Sequence, residues 1–270
     1  MTREALDAAA DALSAAGVED ARFDAEVLLA EATGWERARL VAEPELEIPP
    51  AASRRFAEMV RRRLRREPVA YIVGRRGFRG IELAVDPRVL IPRPETELLV
   101  ELALELAPRR VLDVGTGSGA IALAVATELP ECEVVATDTS PGALEVARAN
   151  AERLSLASRV TFDEGTLPPE GTEFDLVLAN LPYVSEADWP SLAPEVTEWE
   201  PREALLAGPD GLDAIRTFLE AEPLANRVAL EVGGGQAEAV SELMREAGFG
   251  EIEVRRDLAG IERVVVGRHG

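Results

Sequence analysis

The tetrapeptide Asn180-Leu181-Pro182-Tyr183 has the residue types needed to hold a planar nitrogen. It follows the apolar run 174–179, which predicts a loop at the end of a buried strand. An amide or aniline nitrogen is a poor nucleophile because its lone pair is delocalised, and two acceptors on its N–H groups can orient that lone pair. The Asn180 side-chain oxygen and the Leu181 carbonyl are candidate acceptors. Pro182 stiffens the loop and Tyr183 offers a stacking face, so catalysis would depend on positioning without a strong general base.

A second segment, Val111 to Gly119, has the pattern of a strand that runs into a glycine-rich turn. Its glycines are spaced G-x-G-x-G, whereas dinucleotide-binding folds have G-x-G-x-x-G, and no Lys-Ser/Thr pair follows as in a phosphate-binding loop. Asp138, after the next strand, can accept hydrogen bonds from two ribose hydroxyls; alternatively it caps the helix near Pro141. Together the turn and the acid predict a nucleoside cofactor without a pyrophosphate, which S-adenosylmethionine is.

The composition limits the partners of the chain. Its 50 acidic and 29 basic residues give a net charge of −21, which weighs against a nucleic-acid substrate. Cys132 is the single cysteine and His269 the single histidine, so we expect neither an internal disulfide nor a metal site. No apolar run is long enough to span a bilayer, and the chain opens on an amphipathic helix rather than a signal peptide. We therefore expect a cytoplasmic protein without membrane association.

Strands and helices alternate through the second part of the sequence. Continuous apolar strands in repeated βα units predict a parallel sheet with helices on both faces. Two final extended segments without a helix between them predict an antiparallel hairpin at the end of the sheet. The predicted strands are 110–114, 133–137, 159–162, 174–179, 227–232, 251–255 and 263–266, and the predicted helices are 120–128, 141–154 and 237–247. A plain dinucleotide-binding fold does not need this hairpin, which therefore favours a methyltransferase sheet, and we expect an α/β, Rossmann-like, seven-stranded fold of class I.

The first part of the chain has a different pattern. Helical spacing predicts helices at 5–16, 21–33 and 51–66, and the runs 69–74 and 81–85 have the composition of β-strands around a turn. We divide the chain into a small N-terminal helical domain at residues 1–67, a β-hairpin linker at 68–92 and a catalytic domain at 93–270. The helical domain either docks a partner or stabilises the enzyme as a lid or appendage.

These motifs resemble those of a known family. Asn180-Leu181-Pro182-Tyr183 resembles the Asn-Pro-Pro-Tyr signature of methyltransferases that act on planar nitrogens. The likeness to the release factor glutamine methyltransferases runs from about Glu67 to Val266, and the Arg-Pro-Glu-Thr-Glu run at 93–97 is its most discriminating part. The segments that carry it are Glu67–Ile72, Val89–Glu97, Leu112–Ala124 and Asp257–Gly260.

The resemblance implies methyl transfer from S-adenosylmethionine to the glutamine side-chain amide in the Gly-Gly-Gln motif of release factors 1 and 2, by a monomeric enzyme. It places the glutamine amide on residues 180–183. It also implies that the loop with Arg93, Glu95 and Thr96 lines the substrate entrance or the methionine end of the cofactor. The residues that it assigns to the cofactor are Asp113, Gly115, Thr116, Gly117, Ser118, Gly119, Asp138, Thr166, Leu167 and Asn180.

Two departures from the family pattern keep alternatives open. Leu181 replaces the first proline of the signature, and Thr166 stands where the family often has aspartate. Because ribosomal-RNA adenine dimethyltransferases also carry Asn-Leu-Pro-Tyr, the alternatives are an adenine amino-methyltransferase of RNA or DNA and a ribosomal-protein glutamine methyltransferase. A non-catalytic cofactor-binding protein is a further alternative.

Two other features have competing interpretations. The arginines at 61–66, with Arg75, Arg76 and Arg79, either dock an acidic partner or are solvated charges near a helix end. Gly234-Gly235-Gln236 imitates the substrate motif; we interpret it as a strand-to-helix turn that matches it by coincidence.

Overall fold

The computed structural model describes residues 1–167, 173–220 and 225–269. The chain forms two compact units. The first comprises Met1–Arg75 and the short segment Ala193–Trp199, and the second comprises Arg76–Leu192 and Glu200–Gly270. In the described part of the chain, no helix combines the length and apolar character that crossing a membrane requires.

The first unit is helical. Its buried side chains include Leu6 and Leu13 of the first helix and Leu28 and Leu29 of the second, which form one apolar cluster with Phe56. Helical spacing puts these residues on one face of each helix, so the helices are held together by burying that face. The helices are α1 (Thr2–Ala15), α2 (Ala21–Thr33), α3 (Arg37–Ala42), α4 (Pro50–Leu64) and α5 (Val69–Val73), with α9 (Pro194–Trp199) from the later segment.

The predicted strand at 69–74 is wrong, because this segment is helix α5. Its β-branched residues favour a strand locally, but Ile72 is buried in the helical cluster and Val69 and Val73 pack against it. The spacing of these three residues fits one helix face, so tertiary packing overrides β propensity. Gly74 ends the helix at φ 81°. The hairpin therefore begins later, with β1 (Arg75–Phe78) and β2 (Ile81–Ala84).

The arginines that follow the middle of α4 form internal ion pairs. The Arg63 side chain is 8% exposed and lies 2.7 Å from Asp24 and 2.6 Å from Glu195. Arg66 also pairs with Glu195, at 2.7 Å, and Arg62 pairs with Glu67 at 2.5 Å. These three arginines lie near the end of α4, as expected, but they form ion pairs within the unit rather than remaining solvated charges; docking of an acidic partner by the run stays a prediction. Arg63 joins α4 to Asp24 of α2 and to Glu195 of α9, and Arg66 binds the same glutamate.

The second unit contains a seven-stranded sheet of order β5-β4-β3-β6-β7-β9-β8. Its first five strands are parallel, and β9 is antiparallel to both β7 and β8. The predicted seven-stranded sheet and terminal hairpin are confirmed. The strands are β3 (Arg110–Val114), β4 (Glu133–Asp138), β5 (Val160–Glu164), β6 (Leu176–Ala179), β7 (Arg227–Glu231), β8 (Glu251–Arg256) and β9 (Glu262–Arg268).

Helices cover both faces of this sheet. Val111 packs into one apolar cluster with Leu99, while Leu112 and Val114 pack into a second cluster with Ile215. Alternate residues of one strand thus face different layers, as the pleat requires. The helices are α6 (Glu97–Leu106), α7 (Ala120–Glu128), α8 (Pro141–Arg153), α10 (Asp213–Leu219) and α11 (Ala237–Glu246).

The order of the strands determines where a ligand can bind. The chain moves outward from β3 to β4 and β5, then returns to β6 on the other side of β3. Open α/β sheets bind ligands at such a reversal, beside the carboxyl ends of the strands. The loops after β3, β4, β6 and β7 all leave the sheet at this edge.

Candidate active site

The turn after β3 needs its glycines. Gly115, Gly117 and Gly119 have φ angles of 73°, 56° and 85°, which L-side chains rarely adopt. At Gly119 a Cβ would also lie 2.8 Å from Leu123 Cδ1. The amides of residues 115 and 116 both donate to the Thr137 carbonyl at 2.9 Å. The turn is thereby fixed against β4 with its backbone at the sheet edge.

Asp113 stabilises this turn from inside. It is fully buried, and its Oδ2 accepts hydrogen bonds from the Thr116 hydroxyl at 2.6 Å and from the Ala122 amide at 3.1 Å. Its Oδ1 has no hydrogen-bond partner among the described residues. Burial outweighs the two hydrogen bonds and raises the pKa of Asp113 to about 7. The side chains of Asp113 and Thr116 are thus used within the turn, and their contact with a cofactor stays a prediction.

Ser118 is held in the turn by a hydrogen bond from a buried side chain. Its side chain is buried, and its carbonyl accepts from the amide of Asn150 at 2.9 Å. The same Asn150 bonds both main-chain groups of Ala84 in β2. The hairpin thus braces the turn through one fully buried asparagine, which sequence analysis did not identify.

Asp138 ends β4 beside the glycine turn. Its Oδ2 accepts from the Gly117 amide at 2.8 Å and its Oδ1 from the Ser140 amide at 2.9 Å. Ser140 is the N-cap of α8, with its hydroxyl accepting from Ala143 at 3.2 Å, so the interpretation of Asp138 as the cap is wrong. Asp138 is partly exposed, and each carboxylate oxygen keeps a further lone pair for a ribose hydroxyl.

The loop after β5 lies next to Asp138. The Gly165 amide donates to the Asp138 carbonyl at 2.9 Å, and the Thr137 hydroxyl donates to the Thr166 carbonyl at 3.0 Å. The Thr166 side chain is exposed and Leu167 is half-buried. This arrangement leaves Thr166 and Leu167 at the edge where the base of a nucleoside held by Asp138 would lie.

The tetrapeptide after β6 adjoins the glycine turn. A Cβ on Gly115 would lie 3.6 Å from Leu181 Cδ2 and 3.9 Å from the Asn180 carbonyl oxygen. The Asn180 side-chain nitrogen donates to the Thr96 hydroxyl at 3.0 Å, so its oxygen is the group left to accept from a substrate. Two segments predicted separately from the sequence therefore meet in one site.

Tyr183 is held mainly by the end of β7 and the turn that follows it. Its carbonyl accepts from the Gln236 side chain at 3.0 Å, and its hydroxyl lies 3.4 Å from Glu231 Oε1. A Cβ on Gly211 would lie 2.3 Å from the Tyr183 carbonyl oxygen, and one on Gly233 would lie 3.2 Å from the ring. Burial and the nearby Glu231 raise the pKa of the Tyr183 phenol, so it stays protonated.

The Arg93 loop is fixed by a buried acid. Glu200 pairs with the Arg93 guanidinium, and its other oxygen accepts from the Ile91 amide at 3.0 Å. The Glu200 side chain is only 1% exposed, so the ion pair with Arg93 fixes the loop from inside the protein. Glu95 is half-buried, and Thr96 is buried against Asn180. Thr96 thus supports the tetrapeptide from behind, and the expected place of this loop at the substrate entrance or at the methionine end of the cofactor stays a prediction.

Glu231, Gln236 and Glu200 support the site, although the sequence alone indicates no function for them. Two of them stand at recognisable positions in the sequence, because Glu231 ends an apolar strand and Gln236 follows two glycines. Gln236 is the single glutamine of the chain, and its Oε1 also accepts from the Gly233 amide at 2.9 Å. The strand-to-helix turn expected at 234–236 therefore fixes the Tyr183 loop through Gln236.

Replacing Gln236 with alanine is expected to lower kcat for methyl transfer up to about tenfold, the effect of one neutral hydrogen bond on a positioning loop. Gln236→Glu is not expected to restore the rate, because a carboxylate cannot donate to the Tyr183 carbonyl. Initial rates at saturating cofactor measure both effects. Equal rates for Gln236→Ala and the wild type would contradict the assigned role.

Asp113→Asn is expected to flatten the pH dependence of the free energy of unfolding. The folded-state pKa of about 7 lies above the ordinary value of 3.8, so the folded state binds this proton more tightly than the unfolded state. The contribution of Asp113 to the free energy of unfolding is complete below pH 3.8. It is lost as the pH rises to about 7, by at most about 1.4 kcal/mol per pH unit. Urea unfolding across this range measures the slope. Parallel curves for the two proteins would contradict the assignment.

Comparisons with known proteins show what this chain is similar to. Residues 4–74 match the family model described as PrmC N-terminal domain, and residues 111–199 match the Methyltransferase domain. The release factor glutamine methyltransferase of Geobacter sulfurreducens is 43% identical, over 99% of this chain and 96% of that protein. The protein of the same name from Moorella thermoacetica is 44% identical, over 97% of this chain and 96% of its own.

Solved structures share the fold at lower identity. The hMettl16 catalytic domain in complex with MAT2A 3'UTR hairpin 6 superposes with a TM-score of 0.57 at 16% identity, over 70% of this chain and 76% of that one. Human methyltransferase 10 domain containing protein gives 0.52 at 16% identity, over 71% and 89%. At such identities the likeness supports the class I methyltransferase fold alone.

Proposed function

Because this chain belongs to the release factor glutamine methyltransferase family, we propose that it methylates the side-chain amide nitrogen of the glutamine in the Gly-Gly-Gln motif of release factors. The methyl donor is S-adenosylmethionine. The observation that carries the proposal is the Asn180 amide, whose nitrogen is bound by Thr96 so that its oxygen remains for the substrate. That oxygen lies in the loop that adjoins the glycine turn.

The residues at the sheet edge fit this cofactor. Apart from its chain neighbours, none of the described residues has an atom within 4 Å of the position where a Cβ of Gly117 would lie, so a ligand can approach this backbone closely. Asp138 offers two oxygens beside it for the ribose, and Thr166 and Leu167 would border the adenine. When bound, S-adenosylmethionine supplies an electrophilic methyl group on a sulfonium.

The tetrapeptide would orient the glutamine amide. The Asn180 side-chain oxygen and the Leu181 carbonyl accept its two N–H bonds, and the Tyr183 ring packs against its plane. The two acceptors would thereby hold the nitrogen lone pair toward the methyl group that the bound cofactor would supply. After methyl transfer the amide would release one proton to water, so this loop needs no strong general base. The replacement of the first signature proline by Leu181 keeps the carbonyl that this scheme needs.

We also propose that the loop before α6 forms a wall of the substrate entrance. Arg93 and Glu95 lie on the loop before α6, with Arg93 fixed by Glu200. We assign this loop to the protein substrate.

We assign release factor docking to the helical domain at residues 1–67, and we propose that the enzyme acts as a cytoplasmic monomer on both release factors 1 and 2.

Intact-mass analysis of an unmodified release factor tests the reaction. After incubation with the enzyme and S-adenosylmethionine, we expect the gain of one methyl group, which fragmentation maps to the glutamine of the Gly-Gly-Gln motif. A release factor with that glutamine changed to alanine is the matched substrate control and should gain nothing. No methylation by an enzyme that binds the cofactor would overturn the proposal, and methyl transfer to adenine in RNA would establish the rival activity.

A further inference from the structure

A groove of about 500 Å³ lies between the start of α6 and the turn that joins β8 to β9. We call it the hairpin groove. Its two walls are distant in the sequence but belong to the same unit of the protein. One wall carries Glu95, Leu98 and Glu101, and the other carries Asp257, Leu258 and Ala259. The second wall is the segment 257–260, which has no part in the proposed reaction.

The hairpin wall presents apolar side chains to water on a fixed turn. Leu258 is fully exposed, and Ile261 is 42% exposed. Asp257 Oδ1 accepts from the amides of Ala259 and Ile261, both at 2.9 Å. Its Oδ2 accepts from Arg263 Nε at the same distance, so the turn that carries both apolar side chains is held in one conformation. Because little conformational freedom is left to lose, a partner that covers this turn binds at a low entropic cost.

The α6 wall of the hairpin groove is acidic. It carries Glu95, Glu97 and Glu101. Across the groove, Arg256 is already paired with Glu262 at 2.6 Å, so its charge is used within the hairpin. The groove therefore has a negative wall that faces an apolar one.

The arginine bound to the α6 wall does not neutralise it. The Arg79 guanidinium lies 3.2 Å from Glu101 but also 2.8 Å from Glu128, and the Arg79 amide donates to Glu97 at 3.2 Å. One positive charge is thus shared by several carboxylates, and the Glu101 side chain remains 52% exposed. An excess of negative charge is left to attract a cationic partner.

Both walls of the hairpin groove adjoin the candidate site. On the α6 wall, Glu95 directly precedes Thr96, whose hydroxyl accepts from the Asn180 side chain at 3.0 Å. On the hairpin wall, a Cβ on Gly234 would lie 3.7 Å from Ile261 Cγ2, and this glycine belongs to the strand-to-helix turn that fixes the tetrapeptide loop. A chain that extends from a glutamine bound at the tetrapeptide therefore meets this groove within a few residues, since each extended residue advances about 3.3 Å.

We propose that the hairpin groove binds the segment of the protein substrate that adjoins the methylated glutamine, and that this segment combines positive charge with an apolar side chain. This inference rests on the proposed function. Leu258 and Leu98 would enclose the apolar side chain, and the glutamates of the α6 wall would attract the charge. The groove thus contributes to the affinity for the release factor and leaves the methyl transfer step to the tetrapeptide.

Leu258→Ser tests the apolar contact. The loss of one buried leucine contact corresponds to a rise of about 10-fold in KM for the release factor, whereas kcat should change much less. Because Leu258 is fully exposed, the variant should fold normally. Val254→Ser is the matched control and should leave KM unchanged. Val254 is an exposed residue of the same hairpin, but it pairs with Val265, which packs on the opposite face of the sheet from Leu98.

The double variant Glu95→Gln/Glu101→Gln tests the charge. At low ionic strength its KM for the release factor should be about 3- to 10-fold above that of the wild type, and the difference should shrink as salt is added, because salt screens exposed charges. Glu242→Gln/Glu246→Gln removes the same charge from exposed positions of α11. This control should keep the salt dependence of the wild type.

Photo-crosslinking from position 258 identifies the occupant. Leu258→Cys is labelled with a benzophenone maleimide, while the native Cys132 is buried. After irradiation with the release factor, we expect cross-links to the segment beside the Gly-Gly-Gln motif. Val254→Cys, labelled in the same way, should give none.

The possible results separate the hairpin groove from the proposed function. An inactive wild type would overturn the function and the groove together. An active wild type whose KM is unchanged in Leu258→Ser would overturn the groove alone. Cross-links to a remote part of the release factor, or to a second copy of the enzyme, would also overturn it. A higher KM for Leu258→Ser with cross-links beside the glutamine would establish it.

Discussion

Asn180→Ala is expected to lower kcat for release factor methylation by about 10²- to 10³-fold, the loss seen when one preorganised group is removed from a reacting centre. Alanine cannot accept the substrate N–H, so the amide lone pair loses its alignment toward the methyl group. It also leaves the Thr96 hydroxyl without the donor that lies 3.0 Å away in the native site. Single-turnover rates with preformed enzyme–cofactor complex measure the chemical step directly.

The control for this variant is Asn226→Ala. Asn226 is exposed and precedes β7 at the opposite edge of the sheet, so the same change of residue type is made far from the tetrapeptide. Because Asn180 is also among the residues assigned to the cofactor, the two variants are compared at saturating cofactor, where kcat reports the contact with the substrate amide. A kcat for Asn180→Ala within a fewfold of the control would contradict the role of the asparagine. So would a rate loss that saturating cofactor restores.

Elements whose residues are buried on both sides could be predicted from sequence. The strand at 110–114 and the helix at 120–128 were predicted with the observed bounds, because nearly every residue in them is buried and apolar. Continuous apolar runs of this kind occur where a parallel strand or a central helix is enclosed by other layers. The closing hairpin was predicted for the simpler reason that two extended segments had no helix between them.

The segments that were missed depend on contacts that are distant in the sequence. The run 69–73 is helical because Ile72 packs into a cluster built by α1, α2 and α4. Helix α6 was not predicted at all, although it begins directly after Thr96 and so sets the position of that residue. The local pattern contains neither of these facts, since both depend on which surfaces the chain brings together.

The same limit applies to the site. The glycine turn, Asp138 and the tetrapeptide have recognisable types and spacing, and these could be placed at one edge of the sheet from the sequence. The residues that hold these site residues in place could not be identified from the sequence. Thr96 and Asn180 are 84 residues apart, and Tyr183 and Glu231 are 48 residues apart. A hydrogen bond between such distant residues has no periodicity or spacing that one sequence can display.

Asp138 is the group whose loss should most affect the cofactor. Its carboxylate binds the Gly117 amide at 2.8 Å, so Asp138→Ala removes both the proposed acceptor of the ribose hydroxyls and a tether of the glycine turn. Two hydrogen bonds to a charged group correspond to a rise of at least about 100-fold in the Kd of S-adenosylmethionine. Isothermal titration of the cofactor measures this change. Asp138→Asn should lie between the alanine variant and the wild type, because it keeps one acceptor oxygen but loses the charge.

Asp163→Ala provides the matched comparison for Asp138→Ala. In the parallel register Asp138 pairs with Glu164 and Thr137 pairs with Asp163, so the side chains of Asp138 and Asp163 point to opposite faces of the sheet. Removing a carboxylate one strand away should therefore leave the Kd almost unchanged. Equal affinities for Asp138→Ala and Asp163→Ala would mean that the ribose is not held at the end of β4. A rise confined to the Asp138 variants, with kcat at saturating cofactor reduced much less than in Asn180→Ala, would assign binding to Asp138 and alignment of the amide to Asn180.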